Sequence, residues 1–512
     1  MENNNIHVSS EIGRLRRLII HSPDGGIGKI IPSKFEDWLY DDTVNLKKMR
    51  KEYDAYIKTL LYFLDPEKMV YIREWEAKYK NKTKRPPCFK PGAKNYFNSD
   101  KVLDTQQLLC NLLKKKHANG KRNIGRLRLI SAICAVENCS YEIQEKLEGL
   151  DSKLLARVLI TGFIPENKIE NEKAIFLFPP TPNFVFTRDI AIVINDHILL
   201  SKPAKKARKR ESILTRFIAL NFLFETQPEN VVELVQDSQF FLLEDYEKLQ
   251  NVITLEGGDV MMIAHNHLII GCSERTSANA VNATVHKLFS RPEIGIEKVS
   301  VVKIPKNRAQ MHIDTIFTQV KRNVWVLHGQ FSERVLAQRT RDEKKLSYLG
   351  KLLHKEEKVE LDGVEILEFH KSLSAPYRPE KDYLLAHNEV GLEGLLRKVS
   401  RDYGFKDEDI IIIYSGNNEF PYDDREQWTD SCNVLALKEG VVIGYDRNDK
   451  TIKAFQENGF EAITTKELFK RFENGVKPDD IENTLILLPS GELSRGRGGS
   501  HCMSMPLLRD DW

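Results

Sequence analysis

A recurring unit of strand, tight turn, strand and helix limits how this 512-residue chain can fold more than any other feature. Asp189 stands before IAIVINDHILLS, two apolar runs around an Asn195-Asp196 turn, and ARKRESILTRFIALNF follows with helical spacing. Asp259 stands before VMMIAHNHLIIGCS, followed by SERTSANAVNATVHKLF. Asp430 leads into NVLALKEGVVIGYD and then RNDKTIKAFQENGF. A looser copy, IDTIFTQVKRNVWVLHG, follows His312, and another begins at LRRLIIHSP. Each unit has one apolar sheet face and one apolar helix face, so neighbouring units must pack together. Radial packing gives an α/β propeller whose strand ends converge at a centre. A doubly wound parallel sheet fits less well, because tight turns make the strand pairs antiparallel.

The units carry charge in register. Asp189 and Arg208 are nineteen residues apart, and so are Glu256 and Arg275. An acid precedes the first strand and an arginine stands near the start of the following helix. Arginine there opposes the helix dipole, so local stability does not call for it and an anionic ligand group does.

Composition narrows the function classes. Apolar residues make up 41% and charged residues 29%, enough for a real core, and the net charge is only +3. That balance argues against a general polyanion binder, so no nucleic-acid partner is expected. No apolar run reaches the roughly 18–20 residues of a membrane span, and the first residues lack the apolar stretch of a signal peptide, so a cytoplasmic protein with no membrane partner is expected. Seven scattered cysteines, with no CxxC pair, do not form a disulfide framework, and Cys134 with Cys139 reads as buried thiols on a helix. GGIGKI at 25–30 is not a phosphate loop, because Ile30 follows Lys29 and Pro23 occupies the leading glycine's place.

Charge also marks segments. Residues 71–130 carry a net +12 and include KYKNKTKRPPCFKPGAK and KKKHANGKR. DTQQLLCNLLKKK, RLRLISAICAV, YEIQEKLEGL and SKLLARVLITGF have helical spacing, so 76–174 reads as a helical insertion with a basic, solvated entry. The catalytic propeller then occupies 1–75 and 175–512, with an extra charged helical segment at about 330–405. In that segment PYRPEKDYL carries turn residues and LLAHNEVGLEGLLRKVSRDYGF looks helical.

The chemistry-bearing residues fall at the repeats' edges. His312 and Asp314, two apart in QMHIDTIF, share a face on an extended segment. Cys502 lies in SRGRGGSHCMSMP, where Gly496, Gly498 and Gly499 allow close backbone approach and Arg497 favours thiolate. Asp189, Glu256 and Asp314 want a cation; Arg208, Arg275 and Arg497 want an anion. A small zwitterion with a guanidinium head, whose planar donors suit several carboxylates, answers both.

The segments SEIGRLRRLIIHSP, PNFVFTRD, KPAKKARKRES, LEGGDVMMI, GCSERTS, MHIDTIFTQ, DREQWTDSCNVLALKEGVVIGYDRN and GRGGSHCMSMP, in that order, resemble arginine deiminases of the guanidino-group-modifying (pentein) superfamily. The resemblance implies a five-bladed pseudo-symmetric α/β propeller with an inserted helical bundle. It implies hydrolysis of L-arginine to L-citrulline and ammonia, in arginine catabolism, with no cofactor or metal and a homo-oligomeric state. Cys502 is then the nucleophile and His312 the acid and base. Asp189 and Asp314 grip guanidinium nitrogens, and Glu256 holds His312. Asn183, Arg208, Arg275 and Arg497 take the polar end of the amino acid, and Phe186 packs on the guanidinium plane. Asp259, with Gly257 and Gly258 of the EGGD motif and with Gly498 and Gly499, supports the site. An amidinotransferase would share the Cys, His and acids but pass the amidino group to an amine. A metal hydrolase built on His312, Asp314 and Cys502, or a catalytically silent arginine binder, are the other readings.

Overall fold

The computed structural model describes residues 5–79, 88–114, 123–165, 174–236, 242–336, 364–371, 386–387 and 391–511. The basic runs at 80–87 and 115–122, and the parts of the charged segment at 337–363, 372–385 and 388–390, lie outside the described residues.

The protein is an α/β fold in which five sheets have three or more strands among the described residues. All five begin alike: a first strand pairs antiparallel with a second, and the second pairs parallel with a third reached through helix. Ala191–Ile194, His197–Leu200 and Val231–Glu233 form one sheet, with helix Lys209–Ile218 in the crossover. Val260–Ala264, His267–Cys272 and Lys298–Lys303 form the next, across helix Ala278–Phe289. Phe317–Lys321 and Val324–Leu327 are joined by Ile411–Tyr414, and Leu435–Lys438 and Val441–Tyr445 by Thr484–Leu488. The fifth sheet uses both ends of the chain: Met505–Arg509 runs antiparallel to Leu15–Ile20, which pairs in parallel with Val102–Asp104.

Local sequence explains the units. Asn195 takes a φ of 48°, which Asn tolerates better than most residues, so the chain reverses between Ile194 and His197. Both strands flanking it are buried throughout, as their unbroken apolar runs require.

Two segments differ from the sequence reading. Helix Leu392–Asp402 falls within the supposed extra segment, yet it is the crossover helix that precedes strand Ile411–Tyr414. Leu392, Leu395, Leu396 and Val399 bury its apolar face against Phe317 and Trp325. The long intervening stretch hid the helix's membership of its unit. Likewise Val102–Asp104 lies inside 76–174 but completes a sheet, because its apolar Val102 and Leu103 register with Leu18 and Ile19. The helices that follow, Thr105–Lys114, Ile124–Val136, Tyr141–Gly149 and Ser152–Thr161, share one core with strand Ala191–Ile194 and helix Lys209–Ile218. Among the described residues, no helix is long and apolar enough to cross a membrane.

Candidate active site

The first strands of the five sheets begin at residues 191, 260, 317, 435 and 505. Asp189, Glu256, Asp314, Asn433 and Cys502 each stand two to four residues before one of them. Each sheet therefore delivers one polar side chain, and hydrogen bonds gather them in two groups: Asp314, Asn433 and Cys502 in one, Asp189 and Glu256, both bonded to Arg208, in the other.

Cys502 is the hub. Its Sγ lies 3.4 Å from Asp314 Oδ2 and receives the Asn433 amide N–H at 3.1 Å. Asn433 Oδ1 accepts the Cys502 backbone N–H at 3.0 Å, and its Nδ2 also donates to the Asp314 carbonyl at 3.1 Å. On the far side of the cavity His312 Nε2 meets Glu256 Oε2 at 3.0 Å, and His312 Nδ1 lies 3.7 Å from Asp189 Oδ1. His312 is extended and Ile313–Thr315 turn in a short 3-10 helix, so the His–Asp pair sits on a turn rather than on the extended segment expected. The turn aims His312 at Glu256 and Asp314 at Cys502.

Asp259 holds that turn from outside. Its Oδ1 accepts the Ile313 N–H at 3.0 Å and its Oδ2 accepts the Ser273 hydroxyl at 2.6 Å. The neighbouring glycines are there for space. A Cβ on Gly258 would sit 2.7 Å from His312 Nδ1, and one on Gly257 would sit 2.1 Å from the Arg188 carbonyl. Cβ atoms on Gly498 and Gly499 would meet the Phe186 ring and the Asn433 carbonyl at 2.4 Å each.

The arginines divide into two kinds. Arg208 is pinned: it lies 2.6 Å from Asp189 Oδ2, 2.8 Å from Glu211 Oε2 and 3.4 Å from Glu256 Oε2, and it donates to the carbonyls of Asn183 and Phe186. Asn183 itself donates through Nδ2 to the Trp38 carbonyl at 2.8 Å. Arg275 is looser, 4.0 Å from Glu256 Oε1. Arg497 takes a φ of 61° and lays its guanidinium 3.3 Å from the centre of the Trp428 ring; its Nε and Nη1 are buried without a hydrogen-bond partner. Asn183, Phe186, Asp189, Arg208, Glu256, Arg275, His312, Arg497 and Cys502 line one narrow cavity of about 20 Å³.

Behind the thiol lies a chain of groups that sequence reasoning missed. Asp314 Oδ2 meets His501 Nδ1 at 2.9 Å; His501 Nε2 lies 3.2 Å from Glu11 Oε2 and 2.8 Å from Arg188. Arg188 also bonds Glu11. The Arg of FTRD and the His beside Cys502 were visible; nothing local indicated that Glu11 joins them.

Burial and charge set the protonation states. Burial, then Asp314, Asp189 and Asp430, push the Cys502 thiol well above its usual range. Burial alone would lower His312, but Asp189, the Glu256 hydrogen bond and Asp259 raise it to about 9. Glu256 is held at about 2: burial opposes this, while His312 and Arg208 outweigh it. The resting site thus carries a protonated thiol and an imidazolium at neutral pH. Two buried carboxylate oxygens, Asp189 Oδ1 and Asp314 Oδ1, have no hydrogen-bond partner. Asp189, Glu256 and His312 also offer ligand atoms within 4.8 Å of one another, a spacing that could hold a metal ion. The Arg208 guanidinium, however, already lies against two of these three groups.

Fold and site together define an α/β repeat protein whose five sheets set a buried thiol against an imidazole, carboxylates and arginines. A family model described as arginine deiminase matches residues 114–509, and the chain belongs to the arginine deiminase family. It is 28% identical over 515 residues to an arginine deiminase of Borrelia garinii subsp. bavariensis, covering 99% of this chain and 98% of that one. An arginine deiminase of Listeria welshimeri is 27% identical over 516 residues, covering 99% of each. Among solved structures, an amidinotransferase from Microseira wollei in the saxitoxin biosynthetic pathway aligns with a TM-score of 0.46 at 12% identity, over 99% of this chain and 98% of that one.

Proposed function

We propose that this chain is an arginine deiminase, hydrolysing L-arginine to L-citrulline and ammonia through a covalent intermediate on Cys502. The observation that carries this reading is the pair of unpartnered, buried carboxylate oxygens, Asp189 Oδ1 on a residue that lines the thiol cavity and Asp314 Oδ1 on the carboxylate 3.4 Å from the thiol. A buried carboxylate oxygen without a hydrogen bond is costly, even where its twin is paired, and a planar guanidinium supplies donors to both.

Binding then solves the protonation problem. The carboxylates that hold the thiol protonated are those the guanidinium would neutralise, so the substrate's own charge favours thiolate and the thiol proton passes to solvent. Cys502 Sγ adds to the central guanidinium carbon, and His312, protonated at neutral pH, gives its proton to the departing nitrogen, which leaves as ammonia. Neutral His312 next takes a proton from water as that water attacks the thiouronium carbon. The carbon–sulfur bond breaks as the adduct's hydroxyl proton passes to solvent, where it balances ammonia as ammonium; citrulline leaves and the thiolate returns beside a reprotonated His312. Glu256 keeps His312 oriented throughout.

Arg497, with two nitrogens free, and Arg275 are assigned to the substrate carboxylate. Arg208 shapes the guanidinium seat through Asp189 and Glu256 rather than reaching the tail, which its three carboxylate neighbours support. A cavity of about 20 Å³ is far smaller than arginine, so the loop that carries Arg497 must shift to admit it.

We further propose that the five sheets are the blades of a propeller, supported by their common strand order. The helical insertion expected at 76–174 is proposed to comprise the helices from Thr105 to Thr161, a reading supported by their following strand Val102–Asp104. Seven free cysteines support a cytoplasmic setting. Exposed Phe420, Tyr422 and Trp428 on one short segment support a homo-oligomer, to be read by sedimentation.

The deciding experiment supplies arginine to purified protein and measures citrulline and ammonia, with a free amine acceptor as comparison. Equal yields of both products, abolished by Cys502→Ser, are expected. A transferred amidino group in place of ammonia would make the chain an amidinotransferase, and bound but unaltered arginine would make it a binding protein.

A further inference from the structure

A second cavity, of about 980 Å³, lies apart from the thiol. Helix Leu46–Leu64 forms one wall, the segment 88–93 another, and helix Ser152–Thr161 a third. Six cations line it: Arg50, Lys51, Lys58, Lys90, Lys153 and Arg157. Among the described residues Arg50, Lys90, Lys153 and Arg157 have no carboxylate partner, and Arg50 donates through Nε only to the Pro23 carbonyl at 2.8 Å. The acids around them are already engaged. Glu76 meets Lys58 at 3.1 Å, Asp151 caps its helix at the Lys153 and Leu154 N–H groups, and Asp24 accepts from the Gly26 N–H at 2.5 Å and meets His21 at 3.0 Å. Asp54 alone is left over, and burial pushes it up to about 6, where it can also donate a proton.

The cations feel one another. Burial, then Arg157, Arg50 and Lys153, pull the Lys90 ammonium below its usual range. Six cations against four acids, three of them already engaged, leave an excess of positive charge, and an anion between the cations relieves the repulsion. Two guanidinium forks and two ammonium groups match phosphate oxygens better than a single carboxylate. The volume, near the upper end of ordinary ligand sites, asks for more than inorganic phosphate. The remaining wall gives such a ligand a body to rest on: Phe89 is apolar, and Tyr53, 1% exposed, has a hydroxyl with no hydrogen-bond partner.

We propose that this cavity is a binding site for a phosphorylated small molecule with at least two phosphate groups, distinct from the arginine site. It does not depend on the deiminase reading, since binding needs no turnover. Calorimetric titration of the full chain with ATP and with inorganic pyrophosphate tests it, with citrate as a carboxylate polyanion of similar charge. Both phosphate probes should bind. Arg157→Gln should weaken them roughly tenfold or more, as loss of a charge-assisted fork implies. Lys90→Gln and Lys153→Gln, both at exposed positions, should each weaken them several-fold while leaving the circular dichroism unchanged. Lys406→Gln, on an exposed lysine elsewhere, and Cys502→Ser should bind as the parent does. Absence of heat with both phosphate probes would overturn the proposal. So would citrate binding as tightly as ATP, or Lys406→Gln weakening binding as much as Lys90→Gln.

Discussion

Replacing Asp314 by asparagine removes one negative charge beside the sulfur with almost no change of shape. Asp314 Oδ2 lies 3.4 Å from Cys502 Sγ and also accepts from His501. A thiolate and a carboxylate at that distance repel by about 5 kcal/mol at an effective dielectric of about 20. At about 1.4 kcal/mol per pKa unit, removing the charge should lower the Cys502 pKa by up to about 3.5 units. Even half of that is easily resolved. Because the same oxygen faces both groups, the introduced amide either keeps an acceptor for His501 or turns an N–H toward sulfur, and loss of the charge acts in both cases. Turnover should move the other way, because the guanidinium loses one charged acceptor; a charged hydrogen bond is worth about 1.5–3 kcal/mol, or roughly 10- to 150-fold in kcat/KM. The assay pairs the pH profile of iodoacetamide alkylation in the free protein with citrulline formation. A more acidic thiol in a worse enzyme is the expected signature. An unchanged alkylation profile would refute the electrostatic account, and undiminished kcat/KM would remove Asp314 from the guanidinium seat.

Other outcomes follow from the same geometry. His312 is raised to about 9, so its contribution to stability is full below about pH 6.5 and is lost as pH climbs through 9; Glu256, held at about 2, contributes above about pH 4.5 and loses its share as pH falls through 2. Thermal unfolding of His312→Asn across pH 6–10 should therefore lack the alkaline decline of the parent. Gly498→Ala forces a Cβ to within 2.4 Å of the Phe186 ring and should cost about 1–3 kcal/mol in denaturant unfolding while sharply reducing turnover. Asn433→Ala leaves the Cys502 N–H and Sγ without their partner, and about 1–3 kcal/mol should be lost in unfolding together with most activity. Glu52 accepts the N–H groups of Glu492 and Leu493, so Glu52→Ala should loosen the Arg497 loop and raise KM more than it lowers kcat. An unaltered KM would show that Glu52 does not set the loop.

Much of this was legible because the repeat repeats its chemistry. Equal spacing from Asp189 to Arg208 and from Glu256 to Arg275 marked two sheets' contributions before any coordinates, and both pairs do meet: 2.6 Å in one, 4.0 Å in the other. Spacing could not say what an arginine faces. Arg208 stands at its helix start, but Glu211, one turn on, turns it toward carboxylates. Asn433 occupies the register position of Asp189 in its own unit, yet a neutral amide raises no charge signal. His501 and Glu11 are 490 residues apart, so only the meeting of the chain's two ends could reveal them. Helix Leu392–Asp402 was recognisable as a helix, not as a member of a unit, since its strands lie far upstream.

Strand Met505–Arg509 begins three residues past Cys502 and finds its antiparallel neighbour in Leu15–Ile20, while Arg509 donates to the Gly13 carbonyl at 2.6 Å. During synthesis the early strand therefore waits for nearly the whole polypeptide before its edge is covered, and no reactive centre can assemble in the meantime. The same architecture lends itself to reconstitution in trans. A polypeptide ending at residue 488, mixed with a synthetic peptide spanning 489–511, would recover sheet and sulfur in one docking event, making the Cys502 thiol a detachable part.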